Sequence, residues 1–342
     1  MIRAARYYGR EDVRVEQVPA PVVRPGQVKI APAFVGICGS DLHEYLGGPT
    51  FCPTTPHPVT GESIPVTLGH EFSGTITEIG PGVTGFEIGQ RCAVQPIMVC
   101  GHCVACAANA ENVCHNTGVL GLSGGGGGLS DAVCVDAAQV FLLPDNLTLE
   151  IGALVEPLSV AWHAVTAAPE FNPDSIVLII GGGPIGLATI LCLKAKGVKT
   201  ILVSEIASAR QRFALQFGAT QIVNSITDDI KQVVLDATEG RGADVVFDCA
   251  GVPASIKEAC EAVKIRGTII NVAIWKNSYK SILGYQDKDF QAVIEHLRTG
   301  VIKPNDMITA KIRLENVVED GIKALVTDKD NHVKILIDIN AE

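Results

Sequence analysis

Ser175-Ile-Val-Leu-Ile-Ile180 runs straight into Gly181-Gly182-Gly183-Pro184-Ile185-Gly186, and this junction decides the fold of the second half of the chain. The short apolar run is bounded by turn residues and rich in β-branched side chains, so it reads as a buried strand. Leu187 to Lys196 then carries a helical pattern. A G-x-G-x-x-G segment between a strand and a helix is suited to a dinucleotide. Gly181 permits the tight turn, Gly183 lets backbone approach a pyrophosphate, and Gly186 lets helix and strand pack closely. Pro184 and Ile185 open the helix within the same cofactor loop.

Further β-α alternation extends this reading. Thr200 to Ser204 precedes a helical stretch from Ala207 to Phe217, Asp244 to Asp248 precedes Ala254 to Lys264, and Gly267 to Ala273 closes the series. Such repetition predicts a doubly wound parallel sheet covered on both faces. Glu205 ends the second strand, where a carboxylate accepts from the adenosine-ribose hydroxyls and repels a 2′-phosphate. NAD is therefore preferred to NADP, although Arg210 nearby is able to stack on adenine or to favour a phosphate. Val272, at the end of the last strand, completes the candidate cofactor residues.

The first 150 residues have a different texture. Alternation at Val13 to Glu16 and Val28 to Ile30, with turns such as Arg24-Pro25-Gly26, predicts an irregular β domain. Long loops follow at Gly47 to Pro65 and Ser123 to Leu129. The five glycines at 124 to 128 lack the Lys-Ser/Thr of a phosphate-binding loop and read as a mobile loop. After residue 289 the pattern gives a helix (Asp289 to Arg298), a helical stretch (Glu315 to Val326) and a last strand (Val333 to Ile339).

The 342 residues suit about two domains, with a cleft between them as the expected ligand site. A composition 47% hydrophobic and 19% charged excludes disorder, and a net charge of −10 opposes nucleic acid and anionic membrane surfaces. Ile176 to Leu193 is uncharged for the lower limit of a membrane span, but its Gly-Gly-Gly-Pro centre is unfavourable there. No membrane partner is expected. Arg3, Arg6 and Arg10 interrupt any secretion signal, so a cytoplasmic location is expected and the eleven cysteines are read for metal rather than disulfides.

Cys100-x2-Cys103-x2-Cys106-x7-Cys114 has the spacing of a closed tetrahedral Zn²⁺ site, a structural one because four thiolates leave no position open. A second constellation is scattered: Cys38, His70-Glu71 and Glu156. One thiolate, one imidazole and one carboxylate would leave a fourth position open on a catalytic zinc. Spacing alone does not assemble them. Taken singly they suit a buried small residue, a satisfied histidine and a helix-terminus acid.

Taken together, these motifs resemble the zinc-containing medium-chain alcohol/polyol dehydrogenase family over nearly the whole chain. The likeness rests on Gly36-Ile-Cys-Gly-Ser-Asp-Leu-His43, Asp41 to Pro49, Pro56-His-Pro58, Val66 to Gly74, Val318 to Lys323 and Asp328 to Ile337. It implies a GroES-like catalytic domain from residues 1–158 and 290–342, with a Rossmann NAD-binding domain, 159–289, inserted between them. It also implies a catalytic zinc on Cys38, His70 and either Glu71 or Glu156, the choice being open. The structural zinc falls to Cys100, Cys103, Cys106 and Cys114. Ser40 and His43 match the proton-relay positions, and Asp41 supports their loop as an acid behind the ligands. After Trp275 this chain is about a dozen residues shorter than the family pattern.

The implied activity is hydride transfer between NAD and a vicinal diol, 2,3-butanediol to acetoin, with acetoin or diacetyl reduction as the reverse. A sorbitol- or xylitol-type polyol dehydrogenase is the nearest rival, and a nonenzymatic zinc-stabilised dinucleotide-binding protein the more distant one. The family pattern further implies a homodimer or homotetramer.

Overall fold

The computed structural model describes residues 1–172, 174–274, 284–328 and 330–341. The short segment after Trp275 lies outside the described residues. The chain divides into two compact units: Met1–Glu156 with Gln286–Arg298 and Ile308–Glu342, and Pro157–Tyr285 with Thr299–Met307. The 299–307 excursion is fastened to the second unit by Gln216, whose side-chain amide donates to Asp306 at 2.7 Å.

In the first unit, strands Val140–Leu142, Arg91–Val94, Glu71–Ile79, Gln27–Gly36, Lys334–Asp338 and Ile308–Arg313 lie side by side in that order, and Val133–Asp136 also pairs with Gln27–Gly36. The C-terminal strand thus returns to the N-terminal sheet, antiparallel to Gln27–Gly36. Alternate residues of these strands build one core, with Val28, Ile30, Val35, Phe72, Ile76, Ile335 and Ile337 buried in it. The glycine run at 124–128 is not a free loop, contrary to the sequence expectation. A Cβ on Gly127 would stand 2.3 Å from the Leu68 carbonyl oxygen, and one on Gly128 2.7 Å from the Phe72 ring. Those residues are glycine because the loop is pressed onto the sheet.

The second unit holds a five-stranded parallel sheet, ordered Gln221–Val223, Thr200–Ser204, Ile176–Ile180, Ala243–Asp248, Val263–Asn271. Counted along the chain this is 3-2-1-4-5, the Rossmann order, which reverses direction beside the first strand. Ile176 to Leu193, uncharged enough to suggest a span, is instead the first strand and most of helix Pro184–Ala195. Among the described residues no helix is long and apolar enough to cross a membrane. Strand Gln221–Val223 and helix Ile230–Ala237 escaped the sequence reading. The helix carried a signal, since the Asp229 side chain caps it by accepting the Gln232 N–H at 3.1 Å.

Candidate active site, thiolate cluster and dinucleotide turn

Cys38 follows strand Gln27–Gly36 and caps helix Gly39–Gly47, its N–H donating to Asp41 Oδ2 at 2.9 Å. This hydrogen bond fixes the backbone that carries the thiol. His70 and Glu71 stand where the neighbouring strand Glu71–Ile79 begins, with Glu71 directly opposite Gly36 in the register. Adjacent strand ends thus bring Cys38, His70 and Glu71 together, one ligand atom of each lying within 4.8 Å of the others. Glu156, in the first turn of helix Val155–Ala167, is buried but stands outside that group. Its charge still acts on His70 and on Lys334.

Two buried atoms of this cluster have no hydrogen-bond partner: Asp41 Oδ1 and His70 Nδ1, 3.8 Å apart. A histidine that gives one ring nitrogen to a metal usually turns the other toward a carboxylate, which sets its tautomer. Asp41 stands where that partner is needed. Burial disfavours the His70 imidazolium, but the charge of Asp41, the hydrogen bond and charge of Cys38, and the charge of Glu156 outweigh it and raise the group to about 10. Burial also pushes the Asp41 carboxyl up, with Glu71 adding to the effect. The buried carboxylates of Asp41, Glu71 and Glu156 favour a cation beside this thiol and imidazole, and a zinc ion fits the donor set of Cys38, His70 and Glu71.

Ser40 is buried, with Oγ 3.2 Å from His70 Nε2. His43 lies three residues further along the same helix, on the same side, and is exposed. Ser40 thus faces the buried cluster while His43, on the same helix, reaches the surface. The loop that follows is held by Glu44, a residue the sequence reading passed over. Its fully buried carboxylate accepts the Thr50 N–H at 3.0 Å and the Phe51 N–H, while its backbone oxygen accepts from Tyr7 Oη at 3.0 Å.

Lys334 was also missed. Its ammonium, 3% exposed, donates to both oxygens of Glu71, itself 1% exposed, at 2.6 and 2.9 Å. The available signal was a lone lysine in Val333-Lys-Ile-Leu-Ile337, since a cation inside an apolar strand requires an anionic partner.

The second cluster is sulfur only. Cys103 Sγ lies 3.5 Å from Cys106 Sγ and 3.8 Å from Cys114 Sγ, and Cys114 Sγ lies 3.5 Å from Cys100 Sγ. These separations are far beyond a disulfide bond of about 2.05 Å, and all eleven cysteines are free thiols. They match a tetrahedron of sulfurs about 2.3 Å from its centre, whose edges are about 3.8 Å. The N–H groups of His115 and Cys106 draw the Cys103 thiol down to about 5, toward the thiolate a metal needs. The surrounding lobe has little core of its own, and Val104 is 77% exposed.

In the second unit the three glycines of the turn differ in what surrounds them. Gly181 adopts φ +100°, a Cβ on Gly186 would stand 2.0 Å from the Gly181 carbonyl oxygen, and one on Gly183 would meet only Arg210 Nη1, at 3.8 Å. Backbone at Gly183 is thus open to an approaching pyrophosphate, and Arg210 stands beside it. Pro184 and Ile185 start helix Pro184–Ala195, whose first N–H groups have no intrahelical acceptor. Glu205 is buried; Oε2 accepts the Gly182 N–H and Oε1 those of Ile206 and Ala207, each at 2.8 Å. Three of its about four acceptor positions are therefore taken by backbone, leaving one rather than two for a ribose. Val272, buried, donates its N–H to the Asp248 carbonyl at 2.9 Å at the same end of the sheet.

A parallel dinucleotide-binding sheet, a β unit with a Cys-His-Glu cluster and a four-thiol lobe together define a zinc-containing dehydrogenase. Residues 24–145 match the alcohol dehydrogenase GroES-like domain and residues 184–298 the zinc-binding dehydrogenase family. The chain belongs to the zinc-containing medium-chain alcohol/polyol dehydrogenase family, whose members use zinc and a nicotinamide cofactor. It is 41% identical to the (R,R)-butanediol dehydrogenase of Bacillus subtilis, covering 98% of this chain and 99% of that protein. That alignment runs over 352 positions, more than this chain's 342 residues, so the relative has residues this chain lacks. The crystal structure of 2R,3R-butanediol dehydrogenase from Bacillus subtilis superposes with a TM-score of 0.92 at 40% identity, covering 99% of this chain and 100% of that one. Sorbitol dehydrogenase from the same organism is more distant, at 30% identity over 98% of this chain and 97% of that protein.

Proposed function

We propose that the chain is an NAD- and zinc-dependent oxidoreductase that converts (R,R)-2,3-butanediol to acetoin and, in reverse, reduces acetoin and diacetyl. The observation that carries this reading is the end-to-end similarity to a butanediol dehydrogenase combined with the buried Cys38-His70-Glu71 group. The first unit acts as the catalytic domain and the second as the nucleotide domain.

Cys38, His70 and one of Glu71 and Glu156 hold a catalytic zinc, while Cys100, Cys103, Cys106 and Cys114 hold a structural one. When bound, the catalytic zinc supplies Lewis acidity toward the carbinol oxygen and NAD⁺ supplies the hydride acceptor. Asp41 fixes the His70 ring from behind, and the capped turn at Cys38 fixes the backbone that carries the thiolate. Ser40 Oγ takes the hydroxyl proton and His43, exposed one helical turn on, passes it to solvent. With NAD⁺ as the two-electron acceptor, oxidation of the carbinol carbon would release one proton, which Ser40 and His43 would carry to solvent. The Glu205 carboxylate favours NAD by repelling a 2′-phosphate.

Butanediol is short and ends in methyl groups, so its pocket needs fewer hydrogen-bonding groups than that of a hexitol. A homodimer or homotetramer and a cytoplasmic location complete the reading. Metal analysis and an acetoin assay test it. Two zinc ions per chain and acetoin formation from (R,R)-2,3-butanediol with NAD⁺ are expected; one zinc and no acetoin would leave a nonenzymatic binding protein.

A further inference from the structure

We propose that Lys334 is a positioning residue for the catalytic metal. Reaching across Gly36, it holds the Glu71 carboxylate off the zinc that Cys38 and His70 would carry, so that a position on the ion stays open. This inference rests on the zinc-dehydrogenase reading above.

The arrangement follows from three adjacent strands. Glu71–Ile79, Gln27–Gly36 and Lys334–Asp338 are consecutive in the sheet, and Gly36 is paired with Glu71 on one side and Leu336 on the other. Glu71 and Lys334 come from the two outer strands and meet over the middle one. They meet only because position 36 has no side chain: a Cβ there would stand 2.3 Å from Glu71 Oε2 and 3.2 Å from Lys334 Cδ.

The ammonium has three hydrogens and all three are used. Two go to Glu71 Oε1 and Oε2, at 2.9 and 2.6 Å, and one to the Ile37 carbonyl oxygen at 3.2 Å. Ile37 directly precedes Cys38, so the same ammonium steadies the segment that carries the thiol.

Distance does not keep Glu71 from the metal position, because its ligand atom is already within 4.8 Å of those of Cys38 and His70. What restrains it is competition. An ammonium and a zinc ion draw on the same lone pairs and repel each other, and burial strengthens both effects. A carboxylate paired through both oxygens is a weak second ligand. Once freed, it becomes an uncompensated buried anion beside a dication and moves onto it.

The test is the rate at which the zinc-loaded full chain gives up metal to a chromophoric chelator, with Cys38→Ser identifying the phase that belongs to this site. In Lys334→Met, freed Glu71 joins the zinc, so this phase slows about tenfold or more, and the absorption bands of a cobalt-substituted sample change. Lys334→Arg keeps the cation and releases metal at the wild-type rate. Lys334→Met/Glu71→Gln also returns to the wild-type rate, because the carboxylate is gone. A folded Lys334→Met that keeps two zinc ions and releases them at or above the wild-type rate overturns the proposal.

Should Lys334→Met fail to fold, Glu71→Gln decides. Wild-type release supports Glu71 as held off, and release faster by about tenfold or more marks it as a ligand and overturns the idea. A wild-type chain with a single zinc would remove the metal reading itself; two zinc ions with release insensitive to Lys334 would remove only this inference.

Discussion

Glu205 Oε2 accepts the Gly182 N–H at 2.8 Å, so the acid that closes strand Thr200–Ser204 is tied to the glycine turn closing strand Ile176–Ile180. One carboxylate thus shapes the glycine turn and, on the proposed reading, sets the charge that a ribose would meet. Glu205→Gln keeps the size and loses the charge. Charge-assisted hydrogen bonds contribute about 1.5–3 kcal/mol, so KM for NAD⁺ should rise about tenfold or more while the preference over NADP shrinks. Steady-state kinetics with both cofactors checks this, and an unchanged NAD/NADP ratio would remove Glu205 from cofactor selection.

Gly186 is the tightest point of the same turn, with the Gly181 carbonyl oxygen 2.0 Å from where a Cβ would stand. Backbone cannot rotate away as a long side chain can. Gly186→Ala should therefore cost about 1–3 kcal/mol of stability and weaken NADH binding. Thermal unfolding and a fluorescence titration with NADH measure the two effects. Wild-type values for both would mean that the turn has slack the geometry denies.

The two cysteine sites should fail differently. Cys38→Ser is expected to retain the fold and NADH binding, lose one zinc and lose turnover. Cys103→Ser removes one of four sulfurs from a lobe with little core, so its first symptom should be a lower unfolding temperature or poorer solubility, with structural zinc lost. Metal content, melting curves and rates on the same preparations separate the cases. Normal turnover in Cys38→Ser would withdraw that residue from catalysis.

Acid stability depends in part on Asp244, which ties two central strands together. Burial alone would raise its carboxyl, but the Ile176 N–H at 2.7 Å, Lys264 Nζ at 2.5 Å and the charge of Arg241 outweigh it and hold the group below the usual carboxylate range. Its pKa is lower folded than unfolded. The stability it contributes is thus fully present above the unfolded value, about 3.9, and is lost as pH falls through the folded one. Asp244→Asn should flatten the decline of stability between about pH 5 and pH 2. Urea midpoints across that range test the point, and parallel curves for the two proteins would contradict it.

Local features were legible in the sequence and distant pairings were not. The Ser175 to Gly186 junction carries its meaning within a dozen residues, and the cysteine spacing from Cys100 to Cys114 does the same. Strand Gln221–Val223, three residues long, is too short to show a period. The stretch after Leu314 was legible as helical but not in type, being 3₁₀ over Leu314–Asn316, π over Val317–Lys323 and α over Ala324–Thr327. Cys38, His70 and Glu71 were found by resemblance, and their meeting is a consequence of strand pairing. The Lys334–Glu71 pair spans 263 residues, and nothing local to either side chain names its partner.

A chain that oxidises a small vicinal diol with NAD⁺ should discriminate against longer polyols and against NADP⁺. Comparing kcat/KM of the zinc-loaded protein for (R,R)-2,3-butanediol and for xylitol, with NAD⁺ and then NADP⁺, tests it most directly. Faster turnover of the butanediol is expected, with NAD⁺ the better cofactor and acetoin the product. Xylitol turned over much faster than (R,R)-2,3-butanediol would contradict it and move the chain to the polyol branch of the family.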